Sequence, residues 1–129
     1  MACVLCDDPS SVGAIVYEDE VARVIVHNDW AGRGHALVVA REHVENISDL
    51  RFPAAFLDVY ARAERAMLDA TKCERAMMLK LGIVTPHLHV HIYPMLASDD
   101  RASVFGAFEG AVRRVPSKEI VEEIKRRFA

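Results

Sequence analysis

The spacing of apolar residues changes several times along this 129-residue chain, and each change marks an element. Residues 13–19 (GAIVYED) and 21–29 (VARVIVHND) are rich in β-branched side chains and flank Asp19-Glu20. That pattern predicts a hairpin. Residues 30–34 (WAGRG) hold two glycines and read as a loop, and 35–40 (HALVVA) as a buried strand. From Phe52 to about Ala70 the apolar positions fall at helical spacing: Phe56, Val59 and Tyr60, Ala63, Met67, Ala70. Pro53 suits the first turn of that helix.

Residues 77–82 (MMLKLG) read as a short strand ending at Gly82, and 87–93 (HLHVHIY) as a strand of strict alternation. Pro94 has no N–H to give a ladder, so pairing should end or reach an edge there. Segment 97–116 reads as loop or short helix. After Pro116, Ser117 is placed to cap a helix whose apolar positions are Ile120, Val121, Ile124 and Phe128. Its acidic residues precede its basic ones, the order a helix dipole favours. The predicted fold class is α+β: a five-stranded antiparallel sheet, one long helix and a C-terminal helix, in a single domain over 1–129.

Composition narrows the partners. Hydrophobic residues make up 52% of the chain, enough for a packed core. A net charge of -3 argues against a footprint for polymeric nucleic acid but leaves room for one nucleotide. No apolar run approaches the ~20 residues of a membrane span, so no membrane partner is expected. The opening MACVLCDDPS lacks the basic and apolar regions of a signal peptide, so the expected compartment is the cytoplasm. In that compartment Cys3-x-x-Cys6 reads as metal or redox chemistry before it reads as a disulfide. Cys73 reads as a small apolar filler.

The densest chemistry lies in HLHVHIYP. His87, His89 and His91 alternate with Leu88, Val90 and Ile92. On a strand the imidazoles share one face, roughly 6.5–7 Å apart, and the apolar residues take the other. Three uses compete: ligands for a metal, histidines without a task, or a neutral imidazole that attacks phosphorus while its neighbours hold phosphate oxygens and move protons.

HLHVHIYP also resembles the signature of the histidine triad (HIT) family. The likeness extends to GHALVVAREHVENISDL (34–50), with Gly-His before an apolar strand and Arg-x-His after it. The Cys-x-x-Cys, the YEDE hairpin and the LG-x-x-x-P-H entry to the triad match as well. It covers residues 3 to about 95, which puts the core at about 3–96 and leaves 97–129 as an extension.

The resemblance implies a hydrolase or nucleotidyl transferase that cleaves a phosphoanhydride or phosphoramidate at the α-phosphate of an adenosine nucleotide. His89 is then the nucleophile that becomes nucleotidylated, with His91 and His35 working beside it. It implies a nucleoside contact from Asn28 or Asp29, with His27 alternating against Asn28; Val26 and Trp30 either flank the base or are core or loop-packing residues. It implies a structural zinc on Cys3, Cys6, His43 and His87, no organic cofactor, and a homodimer in which exposed strand edges and the apolar tail helix could take part. The chain departs from the family at Ile83, where members usually carry Gln or Asn. Thr85 is the candidate replacement hydroxyl, and Ile83 is either a packing residue or a sign of another substrate. Two alternatives go with that departure: a nucleotide-binding regulatory module without turnover, and a metal-centred protein using the triad as open ligands.

Overall fold

The structure is a computed structural model that describes residues 3–110 and 112–128. In chain order the elements are α1 (Val4–Asp7), β1 (Gly13–Glu18), β2 (Ala22–His27), β3 (Asp29–Trp30), β4 (Ala36–Ala40), α2 (Pro53–Thr71), β5 (Arg75–Leu79), β6 (His89–Met95), α3 (Arg101–Glu109), β7 (Val112–Arg113) and α4 (Lys118–Arg126). The main sheet has five antiparallel strands in the order β1-β2-β4-β6-β5, and β3 and β7 form a separate two-stranded ladder. The α+β architecture expected from the sequence is what forms.

Period-two alternation sorts the sheet into two faces. Val24, Val26, Ala36, Val38, Val90 and Ile92 pack against Phe56, Val59, Ala63 and Met67 of α2. The helix presents these residues because its apolar stripe repeats at three and four residues. Pro53 occupies its first turn, and Lys72 closes its end at φ 58° with an N–H donated to the Leu68 carbonyl. α4 docks on the same core through buried Ile124, with Ser117 accepting from the Ile120 N–H as the cap. Phe128 stacks on Tyr17 at 4.7 Å. The apolar face of the tail helix thus packs on the core of its own chain.

The opposite face is divided. Ile25, Leu37 and Val39 are covered by Leu5 and the amino-terminal segment. Tyr93 and Met95 are covered by Ala107, Val104 and Phe108 of α3. Register places Leu37 opposite His91 and Val39 opposite His89. The two imidazoles therefore lie on this second face, in the gap between the amino-terminal cover and α3.

Three boundaries differ from the sequence expectation. The second hairpin strand ends at His27, and Asp29–Trp30 leave it to pair with β7 instead of lying in a plain loop. β5 begins at Arg75 and stops at Leu79, so 80–82 lie outside it. β6 starts at His89 and runs through Pro94. Its ladder to β4 ends at Ile92, so Pro94 is flanked only by β5, the kind of edge where a residue without an N–H is tolerated. His87 precedes the strand, in a bend.

Candidate active site

Two main-chain carbonyls set the proton positions of the histidine cluster. A carbonyl oxygen can only accept, so the ring nitrogen facing it must carry the hydrogen. His89 donates Nδ1–H to the His87 carbonyl at 2.6 Å, which leaves Nε2 as its free nitrogen. His35 donates Nδ1–H to the Asp29 carbonyl at 2.7 Å. Its Nε2 stands 2.7 Å from His91 Nδ1. Burial pushes His35 down to about 3, with the opposing Asp29 hydrogen bond and the neighbouring imidazoles as smaller influences. Burial likewise pushes His91 down to about 4, with His89 and His27 acting in the same direction. Both rings are neutral near pH 7, so His91 donates Nδ1–H to His35 Nε2 and keeps its own Nε2 bare.

The rings form a column. His27 stacks on His35 at 4.4 Å, and His35 stacks on Tyr93 at 4.2 Å. His89 meets His91 edge-on, with centroids 5.1 Å apart. His27 Nδ1 accepts from the Asp29 N–H at 2.8 Å, so its Nε2 carries the hydrogen when the ring is neutral. Burial is the main influence lowering its pKa. Tyr93 continues the alternation of His87, His89 and His91, so period two could have singled it out, although its stacking on His35 depends on the sheet. Burial also pushes its hydroxyl up to about 12.

The nucleoside residues named from sequence separate. His27 lies on the histidine face. Asn28 is half-buried and is held through its main chain, donating to Val12 and accepting from the Arg114 N–H. Asp29 is exposed, and its backbone carbonyl is the partner of His35. Val26 is 4% exposed and faces α2, so it does not flank a base on the histidine side. Trp30 lies under the Arg114 guanidinium, 5.0 Å from the ring centroid. In the entry loop Thr85 is half-buried, while Ile83 and Val84 are 79% and 92% exposed. Ile83 is therefore not a packing residue.

Cys3, Cys6, His43 and His87 converge, with their ligand atoms all within 4.8 Å of one another. Cys6 Sγ stands 3.2 Å from His43 Nδ1 and 3.4 Å from His87 Nδ1. Cys3 Sγ is 3.5 Å from His87 Nδ1, and the two Nδ1 atoms are 3.1 Å apart. Tetrahedral zinc with Zn–S of about 2.3 Å and Zn–N of about 2.0–2.1 Å would set S···N edges near 3.5 Å and N···N edges near 3.4 Å. The residues fit such an ion. His87 donates Nε2–H to the Ala40 carbonyl at 2.6 Å, which orients the ring and frees Nδ1. Burial lowers its pKa and so favours the neutral, ligating form.

A comparison with protein families matches the HIT domain over residues 9–97. The chain belongs to the histidine triad family. Its fold is shared with a histidine triad protein from Bradyrhizobium japonicum, at 21% identity over the whole of both chains and a TM-score of 0.77. A hypothetical histidine triad nucleotide-binding protein from Sulfolobus tokodaii is 27% identical over 97% of this chain and 88% of its own, with a TM-score of 0.70. A zinc-bound histidine triad family protein from Mycobacterium smegmatis is 23% identical over 98% and 93%, with a TM-score of 0.71. Among the described residues no helix is long and apolar enough to cross a membrane.

Proposed function

We propose that this chain is a HIT-type nucleotide hydrolase or nucleotidyl transferase acting at the α-phosphate of an adenosine nucleotide. The observation that carries this reading is the pair of bare Nε2 atoms on His89 and His91, each fixed by a hydrogen bond at its Nδ1. A nucleophile needs an unprotonated nitrogen and a locked ring. His89 Nε2 would donate its lone pair to the α-phosphorus as the bond to the bridging oxygen or nitrogen breaks and the leaving group departs with that electron pair. The phosphate charge would raise the proton affinity of His91, so His91 would take up a proton on substrate binding and pass it to the leaving group. Water would then displace His89, giving its proton to His91 and releasing the mononucleotide.

His27 is the polar side chain of 27–29 that lies on the histidine face, and its Nε2–H is the donor we assign to the nucleoside. Asn28 and Asp29 support it from the main chain. Thr85 is assigned to the leaving-group side, where Ile83 offers no polar atom. That gap favours a leaving group needing few protein hydrogen bonds. It is also the observation that supports the second reading, a module that binds a nucleotide without turnover. The metal-centred alternative requires His87 as an open ligand, yet His87 sits in the four-residue cluster. We assign zinc to that cluster as a structural ion tying the amino-terminal segment to the bend that leads into β6. It leaves no open position for chemistry.

A homodimer through the β5 edge completes the reading. β5 ends the sheet, and Met78 on it and Leu81 just beyond it are 48% and 44% exposed. The deciding experiment incubates the protein with an adenosine phosphoramidate, ADP and diadenosine polyphosphates, ranks kcat/KM, and follows intact mass after quenching. Turnover with an adenylylated protein that is absent in His89→Asn is the expected result. A His89→Asn variant with wild-type rates would overturn the mechanism. Adenosine monophosphate binding near micromolar (about -8 kcal/mol) without turnover would favour the module.

A further inference from the structure

The carbonyl that fixes His35 belongs to Asp29, and Asp29 belongs to β3, whose partner strand is β7 in the carboxy-terminal extension. That extension meets the 28–34 loop at successive points. The Arg33 guanidinium pairs with Asp99 at 2.8 Å, and the same Asp99 oxygen accepts the Leu96 N–H at 2.9 Å. The Asp99 side chain is 9% exposed, so the anchor is largely shielded. A Cβ on Gly32 would stand 3.3 Å from the buried Ala107 Cβ of α3, so the loop backbone lies close against that helix. Gly110 approaches Ala31 in the same way. Arg114 donates its N–H to the Asn28 carbonyl at 2.6 Å, and its guanidinium lies over Trp30. α3 also supports Tyr93 through Phe108, and Tyr93 stacks on His35.

Two supports of the His35 ring, the carbonyl that accepts from its Nδ1 and one of its stacking partners, Tyr93, are therefore held by residues 99–110 and 112–114. We propose that this segment is a positioning element for the histidine relay, acting through the Arg33–Asp99 pair and the β3·β7 ladder to hold the Asp29 carbonyl on His35 Nδ1. Arg33 and Asp99 are positioning residues. They touch neither the reacting nitrogens nor the metal cluster. The physical reason such a brace is needed lies in the loop. Residues 31–34 include two glycines, and 28–34 contribute nothing to the five-stranded sheet, so the carbonyl has no ladder partner in that sheet to fix it.

The inference rests on the assignment of His35 as the residue behind His91, but its test needs no substrate. Nitrogen-15 NMR of the histidine rings reports which ring nitrogen carries the hydrogen. Wild type and Arg33→Lys, which keeps the charge, should show His35 as a single Nδ1–H tautomer. Arg33→Met should show a mixture of tautomers. In turnover assays Arg33→Met should lower kcat about tenfold or more with KM within about twofold, because the relay and not the nucleotide contact is loosened. Ala107→Val, which crowds Gly32, should produce the same tautomer change by an independent route. An Arg33→Met protein that keeps one Nδ1–H tautomer overturns the proposal, whatever its activity. A tautomer mixture restored to one form in Arg33→Lys supports it even where the protein proves not to be a hydrolase.

Discussion

His35 Nε2 and His91 Nδ1 lie 2.7 Å apart, and near neutral pH the hydrogen between them belongs to His91. The reason lies on the opposite edge of the His35 ring. The Asp29 carbonyl can only accept, so it claims the His35 hydrogen for Nδ1. Burial keeps His35 from taking a second. A backbone oxygen thereby decides which nitrogen of His91 is available to a substrate.

Replacing His35 should therefore damage the chemistry more than the binding. In His35→Gln the acceptor for His91 Nδ1–H loses its fixed geometry. We expect kcat to fall about 100-fold, the low end of what a positioned acid–base group contributes, with KM little changed. Steady-state kinetics on the best substrate from the panel above check this. Equal losses in kcat and in nucleotide affinity would show that His35 serves the fold instead.

Stability should decline on acidification, with a sign fixed by the same burial. His35 titrates near 6.5 in an unfolded chain and about 3 in the folded one. Between those values the unfolded chain binds more protons, so the native state loses stability as pH falls below 6.5 and loses no more from this group below about 3. For a fully buried ring the slope approaches about 1.4 kcal/mol per pH unit. His91 adds a loss of the same sign between 6.5 and about 4. Urea midpoints near pH 7.5 and near pH 5 should separate in wild type and move closer together in His35→Gln. An unchanged separation would mean other groups carry the dependence.

Removing the metal should loosen the fold without stopping the chemistry. His87 faces Cys3, Cys6 and His43, whereas the bare nitrogens belong to His89 and His91. With free ion at a hundred times its Kd, linkage predicts about 2.7 kcal/mol of stability lost on chelation or in Cys3→Ser. Elemental analysis of protein purified without chelator should give about one zinc per chain. Turnover of the remaining folded enzyme should stay within a few-fold, and its complete loss at a temperature where the apoprotein is still folded would point to a metal-centred site.

The β5 edge supplies a test of assembly. Light scattering at micromolar concentration should report the mass of two chains, and Met78→Lys, which places a charge on that edge strand, should shift the protein towards one. A wild-type mass of one chain would remove the homodimer.

Much of the scaffold was legible before folding. The α2 face follows from the spacing of Phe56, Ala63 and Met67, and the α4 cap from Ser117. The histidine face follows from alternation at 87–91, and belonging to the histidine triad family follows from that alternation with its Gly-His partner. These are local properties, set by one period or one capping side chain, so the chain order contains them. The inward face of Val26 was equally open to period two, because Val24 and Val26 share parity with the α2-facing residues, yet its side could be fixed only once the sheet's faces were.

Tertiary structure decided what depends on residues far apart in the chain meeting. Pairing of β3 with β7, in which Asp29 lies opposite Arg113, takes Asp29 out of the hairpin and aims its carbonyl at His35. The Arg33–Asp99 pair, the stacking of Tyr93 on His35 and the exposure of Ile83 have the same origin. The sequence by itself determined which side chains are available for chemistry and on which face of β6 they lie. Only the folded chain decided which nitrogen of each imidazole is free, because a proton's place on a ring is set by the partner opposite it, and those partners arrive through the main chain of distant segments.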